Sequence, residues 1–135
     1  MHKYSEWQKY VDDGIMNNAN ISKAGIFGFG LKGTEYKKWA SNGLDVNPDE
    51  LKIIGKSFVD PHFIVAHGIP IDGTKYIYRN SDSSLIIGGR PHMGCCILKC
   101  RRCIIVVIFD DPQSHATNVV NNAMKIADYL RQHGY

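Results

Sequence analysis

"CIIVVIF", Cys103 to Phe109, is apolar at every one of its positions. A strand with one face in water alternates apolar and polar residues, so an unbroken apolar run of this length marks a strand covered on both faces. The run is far short of the roughly 20 residues that span a bilayer. It therefore predicts the centre of a sheet with further layers packed above and below.

Downstream, the segment opening at "DDPQSHATN" predicts a helix to about Gln132, with Ala116, Val119, Val120, Ala123, Ile126, Ala127 and Leu130 forming a wide apolar stripe. Gly134 is placed to end it. Upstream, Asp72-Gly73, Asn80 to Ser84, Gly88-Gly89 and Pro91 to Gly94 punctuate short apolar segments, which predicts a meander of antiparallel strands from Phe63 onward. Before it, Asn47, Pro48, Asp49 and Glu50 form a helix start: an N-cap, a proline in the first turn, and acids near the positive dipole end. Leu51, Ile54, Gly55 and Phe58 then face inward.

"NNANISKAG" reads as turn-rich, "GIFGFG" (Gly25 to Gly30) as a short strand and "EYKKWAS" as its hairpin partner. At the beginning, "SEWQKYVDD" predicts an amphipathic helix, with Ser5 and Gln8 in capping-box spacing and Trp7, Tyr10, Val11, Gly14 and Ile15 at helical intervals. Helix, strands, helix, strands, helix is α+β, an antiparallel sheet with helices on its faces.

The 135 residues, 44% of them hydrophobic, fit one domain, 1–135, able to bury its own core. A net charge of +3 is well below a nucleic-acid-binding signature. "MHKYSEWQKY" lacks the apolar core of a signal peptide, and the four cysteines crowd into nine residues instead of forming a framework; both features read as a cytosolic protein with reduced thiols.

Two costly aromatics in the first helix need a reason. On a helical projection Trp7 lies within the apolar stripe and Tyr10 at its margin, and Tyr129 takes the same marginal place on the last helix. Packed side by side, the two helices would let Trp7, Tyr10, Tyr129 and Tyr135 share one partly exposed aromatic surface. Such a surface suits a polyproline II helix, whose preformed shape costs little entropy to bind. Ordinary core packing is the alternative that spacing leaves open.

The chain resembles the profilin family along nearly its whole length. "WQKYVDD" is similar to the family's opening, "KKWAS" to the strand carrying its second tryptophan, "NPDELKIIGKSF" to its short central helix, "HGIPIDGTKYIYR" to a strand pair and "IADYLRQHGY" to its final helix. The resemblance implies N- and C-terminal helices packed together on one face of the sheet and a short helix on the other. It also implies a non-enzymatic, cofactor-free protein that binds monomeric actin, regulates actin polymerisation and nucleotide exchange, and binds proline-rich proteins such as formin-type nucleators.

By the same resemblance, Trp7, Tyr10, Trp39, Tyr129, Leu130 and Tyr135 match the polyproline groove, and Lys75, Arg79, Arg90, Lys99, His115, Asn121 and Lys125 match the actin face. A phosphoinositide-binding patch is implied as well, with Lys37, Lys38, Arg101, Arg102 and Arg131 as its basic candidates. The "PHMG" turn is shorter than the family's usual basic loop and "NNAMK" is less charged, which points to weak affinity for actin.

"CCILKCRRC" permits other readings. Cys100-x-x-Cys103 has the spacing of half a zinc site or of a redox dithiol, so a thiol redox protein is the competing function. One strand alternates its side chains, so four ligands from this segment converge poorly; a hairpin turning at Arg101-Arg102, with the flanking cysteines facing each other, is expected instead. A third possibility is a proline-binding adaptor of the same fold without actin binding. "GFGLKG" lacks the spacing of a nucleotide-binding loop, and the six histidines show no ligand spacing.

Overall fold

The computed structural model describes residues 4–18, 20–30, 35–110 and 112–135, the side chains of Tyr4, Ser5 and Ser114 excepted. Along the chain run α1 (Tyr4–Lys9) with a π-helical continuation (Tyr10–Ile15), β1 (Ile21–Phe29), β2 (Tyr36–Asn42), α2 (Pro48–Ser57) and α3 (His62–His67). Then follow β3 (Ile69–Ile71), β4 (Thr74–Ser81), β5 (Leu85–Arg90), β6 (Met93–Lys99), β7 (Cys103–Asp110) and α4 (Pro112–Gln132).

The strands form one seven-stranded sheet, β2-β1-β7-β6-β5-β4-β3, antiparallel throughout. The apolar run is its centre. β7 lies between β1 and β6, and every residue from Cys103 to Phe109 is buried. Strand alternation sends Cys103, Ile105, Val107 and Phe109 to a core under α1 and α4, and Ile104, Val106 and Ile108 to a second core with α2 and α3. The α+β architecture, with the end helices together on one face and shorter helices on the other, is thus the one expected.

Local chemistry sets the element boundaries. Asn47 accepts from the Glu50 N–H at 2.9 Å while Glu50 accepts from the Asn47 N–H at 3.0 Å, a complete capping box at the start of α2. The same Glu50 carboxylate accepts the N–H groups of Asp72 (3.0 Å) and Gly73 (2.9 Å), tying α2 to the β3–β4 turn. Both turn residues have positive φ, 51° and 78°, the type I′ geometry for which Asp-Gly is suited.

Three expectations change. The strands expected from Phe63 begin only at Ile69, because residues 62–67 form α3. Its four apolar residues fit either period, and the Asp60 carboxylate takes up the His62 N–H at 3.1 Å, one of the donors that a helix start leaves open. "NNANISKAG" is not wholly a turn: Ile21 to Ala24 already belong to β1, since pairing with β7 outweighs local turn preference. Ser5 lies within α1 rather than ahead of it, and its side chain falls outside the described residues. Gln8, its expected partner, gives its amide to the Ser41 carbonyl (2.9 Å) and to Asp12 (3.1 Å).

The first helix also widens after Lys9. Met16 N–H reaches back five residues to the Val11 carbonyl at 2.8 Å, and Trp7, Val11 and Ile15 stay buried along one line. Among the described residues, no helix is long and apolar enough to cross a membrane.

Candidate functional site

Four elements bring aromatic rings together at one corner. Gln8 anchors α1 to β2 through Ser41, which sets the Trp7 ring 4.5 Å from that of Trp39. Trp39 in turn lies across Gly28 of β1; any side chain there would collide with its indole, so glycine is what lets the ring lie flat on the strand. After α4, Gly134 at φ 87° turns the chain, and Tyr135 places its ring edge-on to Trp7 (5.0 Å) and Trp39 (6.2 Å). Tyr10 sits 5.6 Å from Trp7 and 6.0 Å from Tyr129. The rings form one continuous chain from Tyr129 to Trp39.

Their exposures differ, and the difference assigns parts. Tyr129 is 46% exposed, whereas Tyr10, Trp39 and Tyr135 are half-buried. Trp7 is 5% exposed and forms a floor; Leu130 is 0% exposed and supports the rings from within without reaching the surface. His133, absent from the sequence-based set, extends the surface: its ring lies 4.2 Å from that of Tyr129, and its Nδ1 is 2.8 Å from the Tyr129 carbonyl. The signal was its position four residues after Tyr129, one helical turn on.

Burial first, and then a hydrogen bond to Tyr129, push the Tyr10 phenol up to about 12. The sign follows from the protonated form being the one favoured on folding. Below the ordinary tyrosine value of about 10, Tyr10 contributes its full stabilisation, and it loses it as pH rises through the folded-state value. Titration of phenolate absorbance is expected to show a late ionisation step near the value given for Tyr10, which Tyr10→Phe removes; an unchanged titration curve in that variant would contradict the assignment.

The basic candidates divide into three places. Lys75 and Arg79 are exposed on β4, and Arg90 at the end of β5 joins them by donating from Nη1 to the Lys75 carbonyl at 2.9 Å. Ile77 stands between the first two on the same strand face, 58% exposed, an apolar centre with a basic rim. Strand alternation from Lys75 to Arg79 was the available signal for it. His115, Asn121 and Lys125 of α4 line a pocket of about 370 Å³ with Asn18 and Asn20. Lys99 stands apart from both groups. It ends β6 at the edge opposite Arg90 and lines a different pocket, of about 380 Å³, with Lys52, Lys56 and Phe29.

The cysteine segment forms the expected hairpin. Arg101 and Arg102 make the turn, Cys100 N–H donates to the Cys103 carbonyl at 2.8 Å, and all four thiols are free and buried. Among the described residues, no three His, Cys, Asp or Glu side chains are grouped to hold a metal ion.

An α+β scaffold that displays a continuous ring surface on one corner and a basic strand face elsewhere is a small ligand-binding protein. The family model for profilin matches residues 5–135. Profilin-1 of Dictyostelium discoideum is 35% identical over 133 residues, 96% of this chain and 98% of that protein. The crystal structure of Acanthamoeba castellanii profilin II superimposes with a TM-score of 0.82 at 25% identity, covering 96% of this chain and 99% of that one. Mouse profilin IIa, solved in complex with a double repeat from the FH1 domain of mDia1, shares the fold with a TM-score of 0.75 at 23% identity, over 96% of this chain and 99% of that one. The chain belongs to the profilin family. It is accordingly a binding protein and not an enzyme, of a family that binds actin and proline-rich ligands.

Proposed function

We propose that the ring surface is a receptor for proline-rich segments, with Tyr10, Trp39, Tyr129 and Tyr135 as its contact residues, Trp7 as its floor and Leu130 as its support. The observation that carries this reading is the unbroken ring chain linking α1, β2 and the end of α4. A polyproline II helix is rigid before it binds and offers carbonyls to tyrosine hydroxyls and indole N–H groups, so an exposed row of rings captures it at small entropic cost. Short segments bind modestly, and repeated ones gain by avidity.

The exposed β4 face, Lys75, Ile77 and Arg79, with Arg90 at its border, is the part of the molecule proposed to meet monomeric actin, with His115, Asn121 and Lys125 as a flanking polar contact. Lys99 has no neighbour in either group and is the weakest member of the implied set. Complementary charge speeds encounter and fixes register, while the apolar Ile77 supplies buried area. A single profilin-like domain, 1–135, then carries both ligands and delivers actin from a proline-rich nucleator to a growing filament in the cytoplasm. Faster nucleotide exchange on actin follows if the bound state favours an open cleft. Phosphoinositide binding through Lys37, Lys38, Arg101, Arg102 and Arg131 belongs to the same reading.

A polyproline column and a pyrene-actin assembly assay, with and without a formin-type proline-rich fragment, test it. Retention with altered assembly is expected. Arg79→Glu is expected to weaken actin binding about tenfold, the effect of about 1.4 kcal/mol, and to leave column retention unchanged. Retention with no effect on assembly would reduce the protein to a proline-binding adaptor; no retention would remove the receptor altogether.

A further inference from the structure

The β6–β7 hairpin holds a dithiol directly beneath the ring surface. Cys100 and Cys103 flank the two-residue turn of the hairpin, one step beyond the Lys99–Ile104 pair, with the Cys100 N–H on the Cys103 carbonyl at 2.8 Å. Facing residues of an antiparallel pair have Cα atoms about 4.5–5.5 Å apart, inside the range of roughly 4.4–6.8 Å that a disulfide spans. Both thiols are buried in the core that carries Trp7 and Tyr135. The other two cysteines have no such partner. Cys95 and Cys96 are consecutive on β6, face opposite cores, and pair across the ladder with Ile108 and Val107.

The same hairpin holds Tyr135. Arg102 N–H donates to the Tyr135 carbonyl, the Cys103 sulfur lies 3.8 Å from that carbonyl, and the Cys100 sulfur lies 3.9 Å from the Ala127 carbonyl of α4. Both sulfur contacts depend on an S–H, which a disulfide lacks.

We propose that Cys100 and Cys103 are an oxidative modification site, closed to a disulfide by hydroperoxides, and that closure weakens the ring surface by loosening Tyr135. The second half rests on the ring surface being the proline receptor.

In the first step the Cys100 sulfur attacks a hydroperoxide oxygen. An S–O bond forms, the O–O bond breaks, and the departing oxygen takes the thiol proton and leaves as an alcohol or as water. The Cys103 sulfur then attacks the Cys100 sulfenic acid: S–S forms, S–O breaks, and hydroxide leaves as water with the Cys103 proton. Two thiols lose two electrons and two protons, and one hydroperoxide is reduced. The roles have this order because the neighbouring Cys103 side chain, with the Arg131 charge adding to it, holds the Cys100 thiol below the usual range. The neighbouring Cys100 side chain, and then burial, push Cys103 up.

The test is treatment of the full chain with hydrogen peroxide, followed by peptide mapping and by polyproline affinity before and after dithiothreitol. The expected result is an intramolecular Cys100–Cys103 link with Cys95 and Cys96 still reduced. Polyproline affinity should fall about fivefold, the low end of ordinary coupling between linked sites, and recover on reduction. Dithiothreitol does not reverse methionine sulfoxide, so recovery separates the two oxidations. Cys100→Ser is expected to bind normally and ignore peroxide; should that variant fail to fold, the map of the unaltered chain still decides. Four intact thiols, a link elsewhere or a link between chains overturns the site, and a mapped link with unchanged affinity overturns its coupling to Tyr135. If the reduced protein itself is not retained by polyproline, the receptor reading fails while the map still tests the disulfide.

Discussion

Trp7→Ala is expected to abolish retention on a polyproline column and to cost about 3–5 kcal/mol of folding stability, the usual range for removing a buried tryptophan. Trp7 is 5% exposed and touches three other rings, with centroids 4.5 Å away at Trp39, 5.0 Å at Tyr135 and 5.6 Å at Tyr10. Truncation opens a cavity between α1 and β2 and removes the floor on which the half-buried rings rest. Loss of binding through unfolding is separated from loss of the surface by a second variant. Tyr129→Ala removes a ring that is 46% exposed, so it is expected to weaken retention strongly at a stability cost of about 1 kcal/mol or less. Chemical denaturation alongside column retention reads both effects. A folded Trp7→Ala protein that is still retained would show that the ring surface is not the receptor.

The second large effect is expected at Glu50, a carboxylate only 7% exposed whose acceptors are filled by three backbone N–H groups, those of Asn47, Asp72 and Gly73. Glu50→Ala leaves those donors without their acceptor and frees α2 from the β3–β4 turn. The expected cost is roughly 2–4 kcal/mol, since bonds to a charged acceptor are worth more than neutral ones and orphaned donors carry a penalty. Glu50→Gln keeps one carbonyl oxygen and is expected to lose about half as much. Denaturant midpoints measure the cost, and hydrogen exchange at Asp72 and Gly73 should accelerate in Glu50→Ala. The turn leads directly into Lys75 on β4, so the proposed actin contact is expected to weaken in step. A loss below about 1 kcal/mol would mean that water replaces the carboxylate at little cost.

Parts of this fold were legible because short-range chemistry decides them. Asn47, Pro48 and Glu50 sit within one helical turn and cap α2 as their spacing predicts. Asp72-Gly73 makes its turn for reasons internal to two residues, and the apolar run of β7 declares two covered faces whatever covers them. The marginal places of Tyr10 and Tyr129 on their helices also followed from period alone. The family resemblance added Trp39 to the same surface, which periodicity had no means of doing.

The remainder depended on contacts between distant residues. Four apolar residues after Pro61 satisfy strand and helix equally, so α3 was settled by its packing of Ile64 into the core. Ile21 joined a strand because Phe109, remote in sequence, lay alongside it. Adjacent residues Tyr129 and Leu130 carry similar resemblance, yet one is exposed and the other sealed, a distinction set by what α4 lies against. Residue spacing and hydrophobic period determined the elements of this protein and the rings it had available. Tertiary structure alone decided which rings meet, that Lys99 and Arg90 stand at opposite ends of β6, and that Cys103 lies against Tyr135, because those placements arise only when the sheet brings separate segments together.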